Sequence, residues 1–273
     1  MAALRGPILL IGGGKMGSAM MQGWLAQGLA AAEAFIVEPH ADTAERLRAD
    51  LCVHVLAAID DLPAELAPSA MVLAVKPQVM AAVLPELQAL AGRSGLVLSI
   101  AAGTSIATFE QAFGADCAIV RAMPNTPAAV GRGASALYAN AACGDDARAL
   151  AQTLLEAVGL AVWLDSEALM HAVTAMSGGG PAYVFHLIEC LTSAGVAAGL
   201  PEHLAAPLAR ATVIGSGELA ARSEESPAVL RQNVTSPGGT TAEALAVLMD
   251  DQAMARLFER AIAAAAERSR ALA

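Results

Sequence analysis

Ile8-Leu9-Leu10-Ile11-Gly12-Gly13-Gly14-Lys15-Met16-Gly17 is the stretch whose reading decides the fold. Residues 7–11 form an uninterrupted apolar run, as expected of a strand buried on both faces, and residues 15–29 carry helical periodicity. Glycines at 12, 14 and 17 stand between them with the G-x-G-x-x-G spacing. That spacing has a mechanical reading. Gly12 permits a tight turn, Gly14 lets the backbone approach a pyrophosphate, and Gly17 lets the helix pack on the strand. An anion would then meet the N–H groups and dipole at the helix start. A purely structural glycine turn is the alternative, and the strand-turn-helix context favours binding.

Further β-rich runs follow at residues 34–37, 52–55, 70–75, 95–100 and 117–122, separated by helical stretches. That alternation predicts βαβ units and a doubly wound, mostly parallel sheet. Residues 145–158 read as helix, 160–164 as one last strand, and everything beyond as helix. Two domains are expected: residues 1–163 as a dinucleotide-binding Rossmann domain and residues 164–273 as a helical dimerisation and substrate-binding domain. In the second, the helix over residues 182–198 holds a single charged residue, Glu189. A helix so apolar must be covered, and a second copy of the chain is the simplest cover.

Composition narrows the function classes. The 273 residues carry 26 Asp+Glu against 16 Lys+Arg, a formal net charge of -10, which argues against a nucleic-acid binder. The mean hydropathy of +0.54 is high. Yet the longest stretches without Asp, Glu, Lys or Arg, residues 16–32 and 168–188, contain glycine, glutamine or proline and do not read as spanning helices. The start has no signal-peptide pattern, so the expectation is a soluble, cytoplasmic protein with no membrane partner. The four cysteines, Cys52, Cys117, Cys143 and Cys190, read as isolated thiols without CxxC or a histidine at ligand spacing, so no metal is expected.

Several positions are candidates for chemistry. Glu38 ends the second strand 21 residues after Gly17, where an acid accepts hydrogen bonds from the adenosine ribose and repels a 2′-phosphate. That favours NADH over NADPH; a solvated loop acid is the alternative, and His40 or Arg46 could neutralise a phosphate. Ala74-Val75-Lys76-Pro77 and Ser99-Ile100-Ala101-Ala102-Gly103 end the fourth and fifth strands, where open α/β sheets bind ligands. Arg121-Ala122-Met123-Pro124-Asn125-Thr126-Pro127 leaves the sixth strand as a stiff turn presenting Asn and Thr. Asn233-Val234-Thr235-Ser236-Pro237-Gly238-Gly239-Thr240-Thr241 opens a helix. Its N–H groups and hydroxyls could receive a carboxylate, or simply start the helix.

Residues 120–127, Ser177-Gly178-Gly179-Gly180-Pro181-Ala182-Tyr183-Val184-Phe185 and Val234-Thr235-Ser236-Pro237-Gly238-Gly239-Thr240-Thr241, in that order, resemble the pyrroline-5-carboxylate reductases over essentially the full length. The resemblance implies reduction of 1-pyrroline-5-carboxylate to L-proline by NADPH or NADH, the last step of proline biosynthesis. It also implies homodimers with interleaved C-terminal helices, assembled in many members into rings of dimers. Carried over, Gly12, Gly13, Gly14, Lys15, Met16 and Gly17 would bind the pyrophosphate. Glu38 would meet the adenosine ribose or its 2′-phosphate. Ala74, Val75, Lys76, Pro77, Ala101, Ala102 and Gly103 would line the cofactor, with Asn125 near the nicotinamide and Glu167 and Asn233 close to the site. Ser236, Gly238, Gly239 and Thr240 would hold the substrate carboxylate, and Thr241 would serve the imine nitrogen as the catalytic residue.

The chemistry suits that inventory, because a protonated cyclic imine accepts hydride without a strong base. No lysine follows Lys76, which disfavours the β-hydroxyacid dehydrogenases. The alternatives are a related imine or 2-hydroxy acid reductase and a catalytically quiet NAD(P)-sensing dimer. The chain departs from the family pattern in Lys15, where Asn is usual, in Gly179, where Ser is usual, and in Ala211, where Gln is common.

Overall fold

The computed structural model describes residue 4 and residues 6–272. An eight-stranded sheet is built from β1 (Ile8–Ile11), β2 (Ala34–Val37), β3 (His54–Leu56), β4 (Ala70–Leu73), β5 (Val97–Ser99), β6 (Ile119–Met123), β7 (Gly133–Ala139) and β8 (Gly159–Trp163). Their spatial order is β3-β2-β1-β4-β5-β6-β7-β8. All neighbours run parallel except β6 and β7. β1 pairs with β2 on one side and β4 on the other, so the strand order reverses there and opens a crevice beyond their carboxyl ends.

Alternation along β1 explains its apolar run. Ile8 and Leu10 face a core that includes Met20, Met21 and Trp24 of helix α1 (Lys15–Ala26), Leu47 of α2 (Ala41–Leu51) and Leu154 of a later helix. Leu9 and Ile11 face the other core, with Met80, Leu84 and Leu87 of α3 (Pro77–Ala91) and Phe109 of α4 (Ile106–Phe113). The later helix is α5 (Asp145–Glu156), and the Trp24 indole donates to the Leu154 carbonyl at 2.8 Å, binding α1 to it. Both sheet faces are covered, so β1 and β4 have nothing polar to present.

Two departures from the sequence reading have local causes. The predicted third strand starts at Cys52, but Cys52 is the left-handed residue closing α2 (φ 54°), and β3 begins at His54. β7 was not expected: Gly133-Ala134-Ser135-Ala136-Leu137-Tyr138-Ala139 has little β-propensity. Its pairing with β6 and β8 makes it a strand, and its small residues suit close packing. A Cβ at Gly133 would lie 2.9 Å from the Val158 carbonyl oxygen.

The chain divides into two compact units, Met1–Gly178 with Ala266–Ala273, and Gly179–Ala265. The first unit also contains the short helix α6 (Met170–Val173) and one π-helical turn, Thr174–Gly178. The second comprises α7 (Gly180–Ala197), α8 (Glu202–Arg222), α9 (Pro227–Asn233), α10 (Thr240–Met249) and α11 (Ala253–Ala271) up to Ala265. α7 and α8 pack together across a turn closed by Gly199 (φ 102°). No residue of α7 is buried, and Phe185, Ile214 and Val247 are 61 %, 62 % and 73 % exposed. One copy of this unit therefore leaves its apolar surface uncovered. No helix among the described residues is long and apolar enough to cross a membrane.

Candidate functional site

The glycine loop takes the shape its spacing requires. Gly12 has φ 99°, and a Cβ there would sit 2.9 Å from the Ala74 carbonyl oxygen, so β1 and β4 approach too closely for a side chain. A Cβ on Gly17 would come within 2.3 Å of the Gly12 carbonyl oxygen. Gly14 is different: nothing lies within 4 Å of a Cβ built on it. It is the N-cap of α1, with no side-chain cap and no acidic residue in the first turn. The first N–H groups of α1, including those of Lys15, Met16 and Gly17, have no intrahelical acceptor and keep their positive dipole end unopposed. The open space at Gly14 is what the backbone of a nucleotide pyrophosphate needs.

A cavity of about 610 Å³ lies beside this loop, with Gly12, Gly14, Glu38, Ala74, Val75 and Lys76 on its wall. Its size suits a dinucleotide half. Glu38 is 5 % exposed, and both carboxylate oxygens are engaged: Oε2 accepts the Gly13 N–H and Oε1 the His40 N–H, each at 2.9 Å. Glu38 thus ties the end of β2 to the glycine loop while lining the cavity. His40 and Thr43 stand on the same wall, whereas Arg46 is not among its lining residues. Lys15 is exposed on the first turn of α1, and Pro77 begins α3 after Lys76.

The carboxyl ends of β5 and β6 carry the next group. Ser99 Oγ accepts the Ala101 N–H at 3.2 Å, and Gly103 takes φ 77° against the Leu272 carbonyl. Arg121, 5 % exposed, pairs with Glu167 at 2.7 Å, and the same carboxylate oxygen accepts the N–H of Ile106, the first residue of α4. Asn125 spends its amide on the protein, accepting from Ala134 N at 2.8 Å and donating to the Ser177 carbonyl at 3.0 Å. None of Ala101, Ala102, Gly103, Asn125 and Glu167 lines the glycine-loop cavity. The Arg121–Glu167 pair went unread in the sequence, where the partners are 46 residues apart.

In the second unit the predicted carboxylate loop runs from α9 to α10. Asn233 Nδ2 donates to Glu225 at 3.0 Å, and Gly239 N–H closes a turn onto the Ser236 carbonyl at 3.0 Å, with Gly238 at φ 66°. Gly239 caps α10 without a side-chain cap, while its carbonyl accepts from Ala242 and Glu243. The N–H groups of Thr240 and Thr241 therefore open the helix without intrahelical acceptors. Ser236, Gly238, Thr240 and Thr241 are exposed. Together they offer a carboxylate N–H groups and hydroxyls with no fixed cation.

Comparison with known proteins separates this site from dinucleotide folds at large. Residues 7–103 match the family described as NADP oxidoreductase, coenzyme F420-dependent, and residues 167–272 match pyrroline-5-carboxylate reductase dimerisation. The chain is 41 % identical to the pyrroline-5-carboxylate reductase of Pseudomonas aeruginosa over 97 % of its own length and 96 % of that protein's. It is 45 % identical to that of Synechocystis over 88 % of each chain. Among solved structures, the pyrroline-5-carboxylate reductase of Coxiella burnetii superposes with a TM-score of 0.92 at 36 % identity, over 98 % of both chains. The Plasmodium falciparum enzyme, solved with NADP bound, gives 0.82 at 30 %, over 99 % of both. With likeness of this depth running from the glycine loop to the last helix, the chain belongs to the pyrroline-5-carboxylate reductase family.

Proposed function

We propose that this chain reduces 1-pyrroline-5-carboxylate to L-proline, the last step of proline biosynthesis, in the cytoplasm and as a homodimer joined through its C-terminal helices. The observation that carries the reading is family likeness across 97 % of the chain at 41 % identity, in a chain that keeps an open Gly14 at the start of α1. A nicotinamide cofactor supplies hydride to the imine carbon when bound. The protein supplies position. The opening N–H groups of α1 hold the pyrophosphate, and the cavity wall from Ala74 to Lys76 with Glu38 receives the adenosine half. Ala101, Ala102, Gly103 and Asn125 border the nicotinamide half, where Glu167 acts through Arg121.

Ser236, Gly238, Gly239 and Thr240 hold the substrate carboxylate, and the Thr241 hydroxyl hydrogen-bonds the ring nitrogen, keeping its proton in place as the imine becomes an amine. Orientation of two bound reactants contributes about 7–11 kcal/mol in favourable cases. That explains why the site needs no His–Asp pair. NADH is the preferred cofactor, because a carboxylate on the adenosine wall repels a 2′-phosphate more directly than His40 or Lys76 attracts one. Free cysteines fit a reducing compartment. The exposed apolar surface of α7, α8 and α10 fits the dimer, and rings of dimers follow if a second surface pairs.

The deciding measurement is loss of nicotinamide absorbance with pyrroline-5-carboxylate, NADH and NADPH being compared side by side. Turnover with a higher rate for NADH is expected. Binding of both cofactors without turnover would overturn the reductase reading in favour of a sensing dimer.

A further inference from the structure

We propose that His186 and Cys190 of α7 form half of a tetrahedral zinc site, completed by the same two residues of a second copy of the chain. The two residues are one helical turn apart, so their side chains leave the same face. Cys190 Sγ lies 3.5 Å from His186 Nε2. Two ligands on one tetrahedral zinc, with Zn–S about 2.3 Å and Zn–N about 2.0 Å, stand about 3.5 Å apart. The pair is therefore spaced as a chelate before any ion arrives.

Glu189 completes the arrangement from the other side of the ring. Its Oε2 is 2.8 Å from His186 Nδ1. A carboxylate only accepts, so Nδ1 carries the hydrogen and, in the neutral ring, Nε2 keeps its lone pair towards Cys190. A carboxylate behind the non-coordinating nitrogen is the usual support of a metal-binding histidine, fixing its tautomer and raising its basicity. Thiolate with imidazole selects a soft or borderline ion such as zinc over calcium or magnesium. Cys190 binds as the thiolate, and its proton passes to the buffer.

One chain supplies two ligands and no more, since no group of three or more His, Cys, Asp or Glu among the described residues is arranged to hold a metal. The other two come from the partner. His186 and Glu189 side chains are each 73 % exposed, and Cys190 is exposed on a helix with no buried residue. Val184, Phe185, Leu187 and Leu191 of the same helix are exposed too, and the helix lies within the residues matching the dimerisation family. In an isologous interface each patch meets its own copy, so ligands beside the two-fold axis are doubled. Two His–Cys pairs then make a closed Cys₂His₂ site of the structural kind. The ion would fasten the dimer, and the inference rests on the dimer reading above.

The test titrates cobalt(II), as a stand-in for zinc, into the full chain held reduced by a phosphine, with sedimentation velocity run alongside. A thiolate-to-cobalt band in the near ultraviolet and intense visible bands of tetrahedral cobalt are expected. They should saturate at one ion per two chains and disappear on adding zinc. His186→Ala and Cys190→Ser should abolish them while reductase turnover persists, which excludes unfolding. Cys52→Ser should retain them, and Glu189→Gln should weaken cobalt binding about tenfold. A dimer without the charge-transfer band, a band that survives Cys190→Ser, or saturation at one ion per chain would overturn the zinc site and leave the dimer standing. A monomer at all concentrations would instead overturn the dimer reading, and the shared site with it.

Discussion

The Glu38 carboxylate reaches from the end of β2 to the glycine loop and accepts the N–H of Gly13 at 2.9 Å. Its other oxygen holds His40 N–H, so one buried acid both shapes the loop and charges the cavity wall. Hydrogen bonds to a charged group contribute about 1.5–3 kcal/mol each. Glu38→Ser should therefore lower stability by about 2 kcal/mol and raise the NADPH/NADH ratio of kcat/KM by about tenfold, a change of about 1.4 kcal/mol. Thermal unfolding reads the first effect and paired cofactor kinetics the second. Loss of stability with an unchanged ratio would leave Glu38 a brace and nothing else.

Gly14 and Gly17 have different tasks in the motif, and their surroundings differ accordingly. A Cβ at Gly17 would lie 2.3 Å from the Gly12 carbonyl oxygen, which is backbone and cannot swing away, while a Cβ at Gly14 meets nothing within 4 Å. Gly17→Ala is expected to disrupt the first unit, seen as poor expression or a large fall in Tm. Gly14→Ala should keep its Tm and lose cofactor affinity by at least tenfold, because the methyl group occupies the space of the pyrophosphate. Equal cofactor affinity in Gly14→Ala and the unmodified protein would move the pyrophosphate elsewhere.

This contrast marks how far the sequence was readable. The glycine loop, its strand and its helix are local, and periodicity with a six-residue spacing suffices to place them. The same holds for β4, whose four apolar residues are pure core. β7 is not local: Gly133–Ala139 becomes a strand because β6 and β8 flank it, and nothing in its alanines announces that. Arg121 meets Glu167 only after β6 has been laid in the sheet. Asn125 looked like a residue offered to a ligand, yet both ends of its amide are spent on Ala134 and Ser177. Cys190 reads as an isolated thiol in the sequence, and only the turn of α7 sets its Sγ 3.5 Å from His186 Nε2.

Arg121 and Glu167 form a nearly buried ion pair, with side chains 6 % and 26 % exposed. Removing one partner strands the other and costs about 3 kcal/mol. Glu167→Ala should lower Tm by about 6–12 °C, at 2–4 °C per kcal/mol for a domain of this size. Arg121→Met with Glu167→Leu should recover most of that loss, since the stranded charge is then gone. A double variant as unstable as the sum of the singles would show that the two residues act separately.

Cys143 and Cys117 tie stability to alkaline pH. Burial pushes both thiols above their ordinary value of 9.0; Arg148 partly opposes this at Cys143, and the neighbouring Cys143 adds to it at Cys117. The unfolded chain thus releases these protons first as pH rises, and the folded state is the one that binds more protons. The stability is fully present below about pH 9 and is lost as pH climbs towards the raised folded values. Denaturant unfolding between pH 8 and 10.5 should show this decline, and Cys117→Ala with Cys143→Ala should flatten it. An identical slope in the double variant would assign the alkaline loss to other groups.

Thr241 lies in the first turn of α10, exposed, its N–H free of an intrahelical acceptor. A hydroxyl there can hold the nitrogen of a bound imine while the opening N–H groups hold its carboxylate, so its contribution belongs to the reaction step and not to the cofactor. Thr241→Ala should accordingly reduce kcat by about a hundredfold, the lower range for a proton-handling group. The cofactor dissociation constant, read by fluorescence, should stay within twofold. Thr241→Ser, which restores the hydroxyl without the methyl, should recover most of the rate. If alanine and serine reduce turnover alike, the missing element is the methyl contact, and the nitrogen must find its hydrogen-bond partner elsewhere on the loop.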